Sequence, residues 1–264
     1  MKQLQDQLNT FHTFETFPKR IISLVPSQTE LLVDLGLEEN IVGITKFCIH
    51  PNYLKKSKTI IGGTKNIHFD KIKALQPDII VANKEENTLE IVSELSKICP
   101  VWVTDIYTIE DNFKMIQDFG ALFDKKNEAQ KLTDEIKLKV ADFKIFIKDR
   151  SVVKTAYFIW ANPYMVAGNN TFINEILNLN RFENVYQNTS RYPEIDINKW
   201  NIEDKPELIL LSSEPFPFKE KHADEIRKIV PDTKIFFVDG ELFSWYGSRL
   251  LKAFDYFKTL HEKL

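Results

Sequence analysis

Aromatic residues in irregular segments that follow predicted strands are the clearest candidates for binding chemistry. These residues are Trp160, Tyr164, Phe216, Phe218, Trp245 and Tyr246. Rings on a regular apolar stripe would instead indicate a helix packed on a core. Burying one aromatic side chain contributes roughly 1.5 to 3 kcal/mol, so three or four could supply most of a nanomolar affinity after entropic costs. The pattern favours a large flat ligand, with about half of these rings expected to fill the core instead.

A cysteine and a histidine lie two residues apart in the segment from Phe47 to Pro51. If this segment is extended, Cys48 and His50 project to the same side. A thiolate and an imidazole are good ligands for a soft or borderline metal. One Cys beside one His completes no metal site, so His50 could equally bond to a loop carbonyl. Phe47 and His50 are therefore ligand-binding candidates, and His50 could also take an axial position on a metal that the ligand carries.

Charged residues in similar positions give polar candidates. Arg249 could bind a carboxylate or phosphate of a ligand through a two-pronged guanidinium contact. Lys84, Glu85 and Glu241 could contact other polar groups of the ligand. The acidic loops of the two chain halves also carry Glu86 and Glu214, which could contact the ligand or be simply solvated.

Composition excludes several classes of function. The 264 residues are 43% hydrophobic and 28% charged, with a formal net charge of −3, so nucleic acid is not an expected partner. Two cysteines do not suggest a disulfide framework. No Ser-His-Asp order, no His-x-x-x-His and no cysteine cluster supports an enzyme. The start of the chain lacks an export signal, which favours a cytoplasmic protein; the alternative is a periplasmic one whose signal was removed or is unrecognised.

A repeated pattern predicts the architecture. Ala74 to Asp78 precede the apolar run Ile79 to Ala82 and an acidic loop, and Glu203 to Glu207 precede Leu208 to Leu211 and a second acidic loop. Near the start of the chain, the run from Ile21 reads as a strand that Pro26 ends. Ser27 and Glu30 then fit a capping box, and Gly36 ends the helix. Alternating strands and helices predict parallel sheets with right-handed crossovers.

One long amphipathic helix is predicted between the two copies, from Asp124 to Arg150. Its apolar residues recur every three or four positions and are Ala129, Leu132, Ile136, Val140, Phe143 and Ile147. The predicted domains are therefore an N-terminal α/β lobe at 19–123, a backbone helix at 124–150 and a C-terminal α/β lobe at 151–264. An ordinary helix packed on one domain is the alternative.

Ordered segments of the chain resemble the helical-backbone class of solute-binding proteins of ABC importers, and most of all its cobalamin-binding members. The resemblance runs colinearly from about Lys19 to the end. The segments that carry it are Arg20 to Leu31, Val42 to Thr45, Ile72 to Ile80, Asn162 to Gly168 and Ser244 to Arg249.

The resemblance implies an α/β fold of two Rossmann-like lobes with parallel sheets, joined by one long backbone helix, with a ligand cleft between the lobes. It implies no intrinsic cofactor, a small metal-chelate ligand, and a monomer. An importer permease is a possible partner, on which Glu86 and Glu214 would dock. Cobalamin or a related corrinoid is the expected ligand, and haem or a ferric siderophore is the alternative. A cytoplasmic corrinoid-handling or sensing protein, and an enzyme on a nitrogenase-like or chelatase-type scaffold, stay open as other classes.

Overall fold

The computed structural model describes residues 2–200 and 205–264. The chain forms two compact units. The first contains the residues up to Leu138 and the returning segment Tyr246–Leu251, and the second contains Lys139–Trp245 and Lys252–Leu264. The division predicted at 19–123, 124–150 and 151–264 did not anticipate that a C-terminal segment would join the first unit.

The first unit is built on a parallel five-stranded sheet. A hairpin of β1 (Lys2–Gln5) and β2 (Phe11–Phe14) precedes it. The sheet strands are β3 (Ile21–Ser23), β4 (Ile41–Ile44), β5 (Thr59–Ile60), β6 (Ile79–Asn83) and β7 (Val101–Thr104), in the order β5-β4-β3-β6-β7. The helices are α1 (Pro26–Asp34), α2 (Leu54–Ser57), α3 (Phe69–Ala74), α4 (Leu89–Leu95) and α5 (Ile109–Leu122). The predicted parallel sheet is confirmed here.

The start of α1 corrects one prediction. The helix begins at Pro26, whose fixed φ and missing N–H suit the first helical position. Glu30 is therefore the fifth helical residue, beyond the third position that a capping box requires, and the N-cap residue Val25 makes no side-chain cap bond. The capping box was wrong, whereas the end was predicted correctly: Gly36 adopts a φ of 75° just past the helix.

The N-terminal hairpin was not predicted. Its turn is held by Asp6, whose carboxylate accepts bonds from the N–H groups of Leu8 and Thr10 at 3.0 and 2.8 Å and contacts His12 Nε2 at 3.2 Å. The same carboxylate accepts a bond from Val103 N–H on β7 at 3.3 Å. The hairpin therefore supplies hydrogen-bond partners to the edge strand of the sheet, which would otherwise present open N–H groups.

The long helix α6 (Lys126–Ile147) has 22 residues and lies within the predicted span. All six residues of the predicted apolar face are buried, with exposures from 0 to 9%. In the first unit, Gln117 donates to Thr133 Oγ1 at 2.9 Å, and in the second, Phe143 packs on Phe254 and Phe257. The sequence alone predicted this helix because its apolar residues keep a 3.6-residue period for six turns.

The second unit contains a mixed sheet. Its strands are β8 (Val153–Trp160), β9 (Tyr164–Val166), β10 (Phe182–Asn184), β11 (Glu194–Ile195), β12 (Leu208–Ser212) and β13 (Lys234–Val238). The helices are α7 (Phe172–Leu179), α8 (Glu220–Arg227), α9 (Gly240–Ser244) and α10 (Leu250–Lys263). Parallel pairing joins β10, β8, β12 and β13, whereas β9 pairs antiparallel with β8 and with β11.

The repeat in the sequence corresponds to equivalent elements. The two apolar runs form β6 and β12, and the two later echoes form β7 and β13. Each strand ends where a loop with acidic residues begins, as predicted. Part of the second copy, at Glu203 and Asp204, lies outside the described residues.

Candidate functional site

Three of the predicted aromatic residues come together at the carboxyl ends of β8 and β12. Trp160 is the last residue of β8 and is 40% exposed. Its ring lies 5.4 Å from that of Phe216, which lies 4.9 Å from that of Phe218, and both pairs meet edge to face. Phe218 is buried and contacts the core ring of Phe158. The cluster therefore extends from the core to the exposed indole of Trp160. Phe216 packs against this indole, on which a flat ligand could stack.

His222 belongs to this cluster and was missed in the sequence. Its ring lies 5.1 Å from Phe216 and 5.6 Å from Phe218. The ring is buried, and Nδ1 accepts a bond from the Lys219 N–H at 2.9 Å. A neutral His222 therefore carries its proton on Nε2. The only signal in the sequence was its position three residues into α8, which is a capping position.

Tyr164 lies at a different surface. Its hydroxyl donates to Glu225 Oε2 at 3.2 Å, and burial together with this carboxylate raises its pKa to about 12. It lines a shallow groove of about 350 Å³ with neighbours that include Pro163, Ile195 and Ile229. Tyr164 contacts the core through Phe158 rather than through the ring of Trp160.

Glu214, predicted for docking, holds a second aromatic candidate in place. Its Oε1 accepts bonds from Trp245 Nε1–H at 2.7 Å and from Ser244 Oγ at 3.2 Å. Burial, and then the nearby charge of Glu241, raise the pKa of Glu214 to about 7. Trp245 is 8% exposed. Truncating Trp245 would therefore remove a buried ring and leave a cavity.

The loop after β6 carries the charged candidates of the first unit. Lys84 is exposed, and its Nζ lies 2.6 Å from Asp105 Oδ2, which raises the pKa of Lys84. Glu85 and Glu86 are half-buried. Burial, reinforced by Glu85 and opposed by Lys65, raises the pKa of Glu86. Glu86 is therefore a partly desolvated carboxylate rather than a fully solvated one.

The segment that returns to the first unit carries Tyr246 and Arg249. Burial, followed by the nearby charge of Glu86, raises the pKa of Tyr246, and its hydroxyl accepts a bond from Gln28 Nε2 at 3.4 Å. Arg249 binds Glu30 through two bonds, Nε to Oε2 at 2.7 Å and Nη2 to Oε1 at 3.0 Å, and both side chains are 7% exposed. The guanidinium of Arg249, which was expected to bind an anionic group of the ligand, thus already binds a carboxylate of the protein.

Cys48 and His50 occupy different environments. Cys48 is fully buried, its sulfur lies 3.0 Å from Thr29 Oγ1 and 3.3 Å from Thr45 Oγ1, and burial raises the pKa of its thiol. His50 is half-buried, and Phe47 is 48% exposed. Within residues 2–200 and 205–264, no group of three His, Cys, Asp or Glu side chains could hold a metal ion. A metal site shared by Cys48 and His50 thus gains no third ligand there.

The family model described as "Periplasmic binding protein" matches residues 21–230. The chain belongs to the periplasmic binding protein family. This match covers both units and all elements from β3 to α8, so the predicted kinship with solute-binding proteins is confirmed.

Individual relatives and solved structures resemble this chain at low identity. An uncharacterized ABC transporter substrate-binding lipoprotein of Bacillus subtilis is 24% identical over 96% of this chain and 82% of its own. A vitamin B12-binding protein of Vibrio parahaemolyticus is 24% identical over 74% of this chain and 70% of its own. The crystal structure of a periplasmic haem-binding protein from Pseudomonas aeruginosa superposes with a TM-score of 0.80 at 19% identity, covering 92% of each chain. The predicted two-lobed α/β fold is confirmed.

Several candidate residues, among them Trp160 and Lys84, lie at or just after the carboxyl ends of strands, where ligands of open α/β sheets bind. Among the described residues, no helix is long and apolar enough to cross a membrane. The buried side chains of Gln28, Asn83 and Thr104 beneath the first unit's edge were not singled out in the sequence. Nothing in the sequence around these three polar residues indicated that Gln28 and Asn83 would both bond to Thr104.

Proposed function

We propose that this periplasmic binding protein binds cobalamin or a related corrinoid and delivers it to the permease of an ABC importer. The observation that carries the choice of ligand class is the cluster of Trp160, Phe216 and Phe218. An exposed indole backed by two phenylalanine rings offers a broad apolar surface for a flat macrocycle. The vitamin B12-binding relative supports the same choice.

The ligand-contact residues are proposed from both units. Trp160, Phe216 and Trp245 would supply apolar contacts, with Phe218 supporting them from the core. The remaining contacts would come from Phe47, His50, Lys84, Glu85, Tyr246 and Glu241. Arg249 would contact the ligand only by sharing or releasing Glu30, and Tyr164 would do so only at the edge of its groove.

Haem or a ferric siderophore is the second candidate ligand. The half-buried His50 favours haem, because a neutral imidazole can take an axial position on iron. The haem-binding structural neighbour supports the fold that this alternative needs.

The partner and location follow from the same kinship. Relatives described as lipoprotein and periplasmic support a location outside the cytoplasm, and the cytoplasmic location expected from the sequence has no support among them. Glu86 and Glu214 remain the proposed docking residues for a permease, and the protein is proposed to act as a monomer. Glu214 accepts a hydrogen bond from Trp245. Docking of a permease at Glu214 would therefore also disturb the proposed contact between Trp245 and the ligand.

The test is a titration of the purified protein with cyanocobalamin, hemin and a ferric catecholate siderophore, followed by visible spectra and calorimetry. We expect cyanocobalamin to bind with a Kd of about 1 μM or tighter, which corresponds to about −8 kcal/mol. Clear hemin binding without any response to cyanocobalamin would favour the second candidate. Failure of all three ligands would contradict the proposal.

A further inference from the structure

The conformation of the loop after β6 is set by two asparagines. Asn83 Oδ1 accepts bonds from the N–H groups of Glu85 at 2.9 Å and Glu86 at 3.3 Å. Asn87 Oδ1 accepts a bond from the Asn83 N–H at 2.9 Å, and its Nδ2 donates to Thr64 O at 2.9 Å. The charged candidates of this loop thus lie on a backbone whose shape depends on the neutral side chains that flank them.

The other end of the Asn83 amide faces the core. Its Nδ2 donates to Thr104 Oγ1 at 3.1 Å and to Thr104 O at 3.2 Å. Thr104 Oγ1 also accepts a bond from Gln28 Nε2 and donates to Ala82 O. Asn83 is 2% exposed and Thr104 is fully buried. The Asn83 amide therefore has two separable roles. Its Oδ1 orders the loop, and its Nδ2 donates hydrogen bonds to buried acceptors of Thr104.

The second unit uses the same arrangement at the equivalent place. Asn83 is the last residue of β6, and Ser212 is the last residue of β12. Ser212 Oγ accepts a bond from the Glu214 N–H at 3.3 Å and one from Tyr157 Oη–H at 3.1 Å. In both units a buried polar residue at the strand end thus bonds to the loop N–H two residues further on.

The Asn83 loop lies close to a second candidate segment. The charges of Glu86 and Glu85 act on the hydroxyl of Tyr246, and Gln28 bonds to both Tyr246 and Thr104. Anchoring at Asn83 therefore fixes the acidic loop relative to a candidate ring in the same unit.

We propose that Asn83 is a positioning residue for ligand binding, which acts by holding Lys84, Glu85 and Glu86 in a preformed loop. The inference rests on the proposed function, because it assumes that this loop contacts the ligand. A preformed loop avoids the entropy cost of ordering its residues when the ligand binds. Losing the anchor should therefore weaken binding even where the fold persists.

The test compares Asn83→Ala, Asn83→Ser and Thr104→Val by titration with cyanocobalamin and by hydrogen exchange at the Glu85 and Glu86 amides. Asn83→Ala should weaken binding about tenfold and accelerate exchange at both amides. Asn83→Ser, which copies the Ser212 arrangement, should restore affinity to within about threefold of wild type. Thr104→Val removes the hydroxyl that accepts bonds from Asn83 Nδ2 and Gln28 Nε2, but it keeps the Thr104 O contact and the Oδ1 anchor of the loop. It should therefore lower stability while exchange at the Glu85 and Glu86 amides stays near wild type.

Unchanged affinity or unchanged exchange in Asn83→Ala would overturn the proposal. Equal acceleration of exchange at the Glu85 and Glu86 amides in Thr104→Val would do the same, because it would show a general effect of core stability. If the wild-type protein binds no cyanocobalamin, the proposed ligand fails on its own. The exchange rates would still decide whether Asn83 orders the loop.

Discussion

At the scale of single residues, Glu214 has a structural role that its sequence context did not reveal. A glutamate beside prolines in a loop resembles a solvated surface residue, but this one accepts bonds from Trp245 and Ser244 in a half-buried site. Its ionisation should therefore be linked to the stability of the second unit.

Glu214 predicts a specific pH dependence of stability. Its folded-state pKa of about 7 lies above the value near 4.3 of an unfolded glutamate. Between these values the native state holds a proton that the unfolded state has lost, so the free energy of unfolding falls as pH rises from about 4.5 to 7. The contribution is at most about 4 kcal/mol, from a pKa difference of about 2.7 at 1.36 kcal/mol per unit. Glu214→Gln should remove it, as measured by urea unfolding at pH 5 and pH 7.5.

Comparison of the two proteins at each pH cancels other titrating groups. One of these is His261, whose pKa burial and Arg150 lower to about 4, which gives the opposite trend in wild type and variant alike. Glu183→Gln, at an exposed position on β10, is the control and should leave the pH profile unchanged. Parallel profiles for wild type and Glu214→Gln would contradict the assigned role.

Residue types predicted part of the site but not its partners. Trp160, Phe216 and Phe218 were singled out because they do not lie on a regular apolar stripe, and the structure brings them together. The engagement of Arg249 could not be predicted, since Glu30 lies 219 positions away. His222 and Asn83 were missed because their roles depend on contacts between segments rather than on local pattern.

At the scale of elements, one buried ion pair joins α1 to the returning C-terminal segment. Glu30 lies within α1, and Arg249 immediately precedes α10. Gly247 supports the same junction, because it adopts a φ of 87° and its N–H bonds to Asn112 Oδ1 at 2.6 Å. These contacts explain why residues 246–251 belong to the first unit.

A double-mutant cycle on this pair should show strong coupling. Glu30→Met or Arg249→Met alone removes this ion-pair contact from one buried charge and should cost about 3 to 5 kcal/mol. The double variant should recover most of that loss, because two apolar side chains of similar size replace both charges. Chemical denaturation at neutral pH measures all three free energies of unfolding.

Additive effects in the double variant would show that the two charges are not coupled. A double variant that folds normally but loses cyanocobalamin would instead restore Arg249 as a ligand contact. Retention of binding would support a purely structural role for the pair.

Elements with a persistent period were predictable, whereas those fixed by a single residue were not. The helix α6 was found nearly to its ends, because its apolar spacing continued through six turns. The start of α1 was misplaced, since Pro26 acts both as the end of a strand segment and as the first helical residue. The hairpin β1–β2 and the antiparallel strand β9 are short, and their sequences carry no repeated alternation long enough to identify them.

At the scale of the whole molecule, an internal repeat predicted two α/β units and the family match confirms the fold. The exact composition of each unit could not be predicted, because the chain returns to the first unit through tertiary contacts near its end. The ligand also lies beyond what the fold decides, since similar folds bind different ligands. Its identity must come from the chemistry of the candidate residues.

We propose that a corrinoid binds at the aromatic cluster of the second unit, which Trp160, Phe216 and Phe218 form. The most direct test is calorimetric titration of cyanocobalamin into wild type, Trp160→Ala and Phe237→Ala. Trp160 and Phe237 are similarly exposed, at 40% and 43%, but Phe237 lies within β13, outside the cluster. We predict micromolar or tighter binding that Trp160→Ala weakens by about 2 kcal/mol, roughly 30-fold, while Phe237→Ala has no effect. Equal affinities in all three proteins, or no binding by the wild type, would contradict the claim.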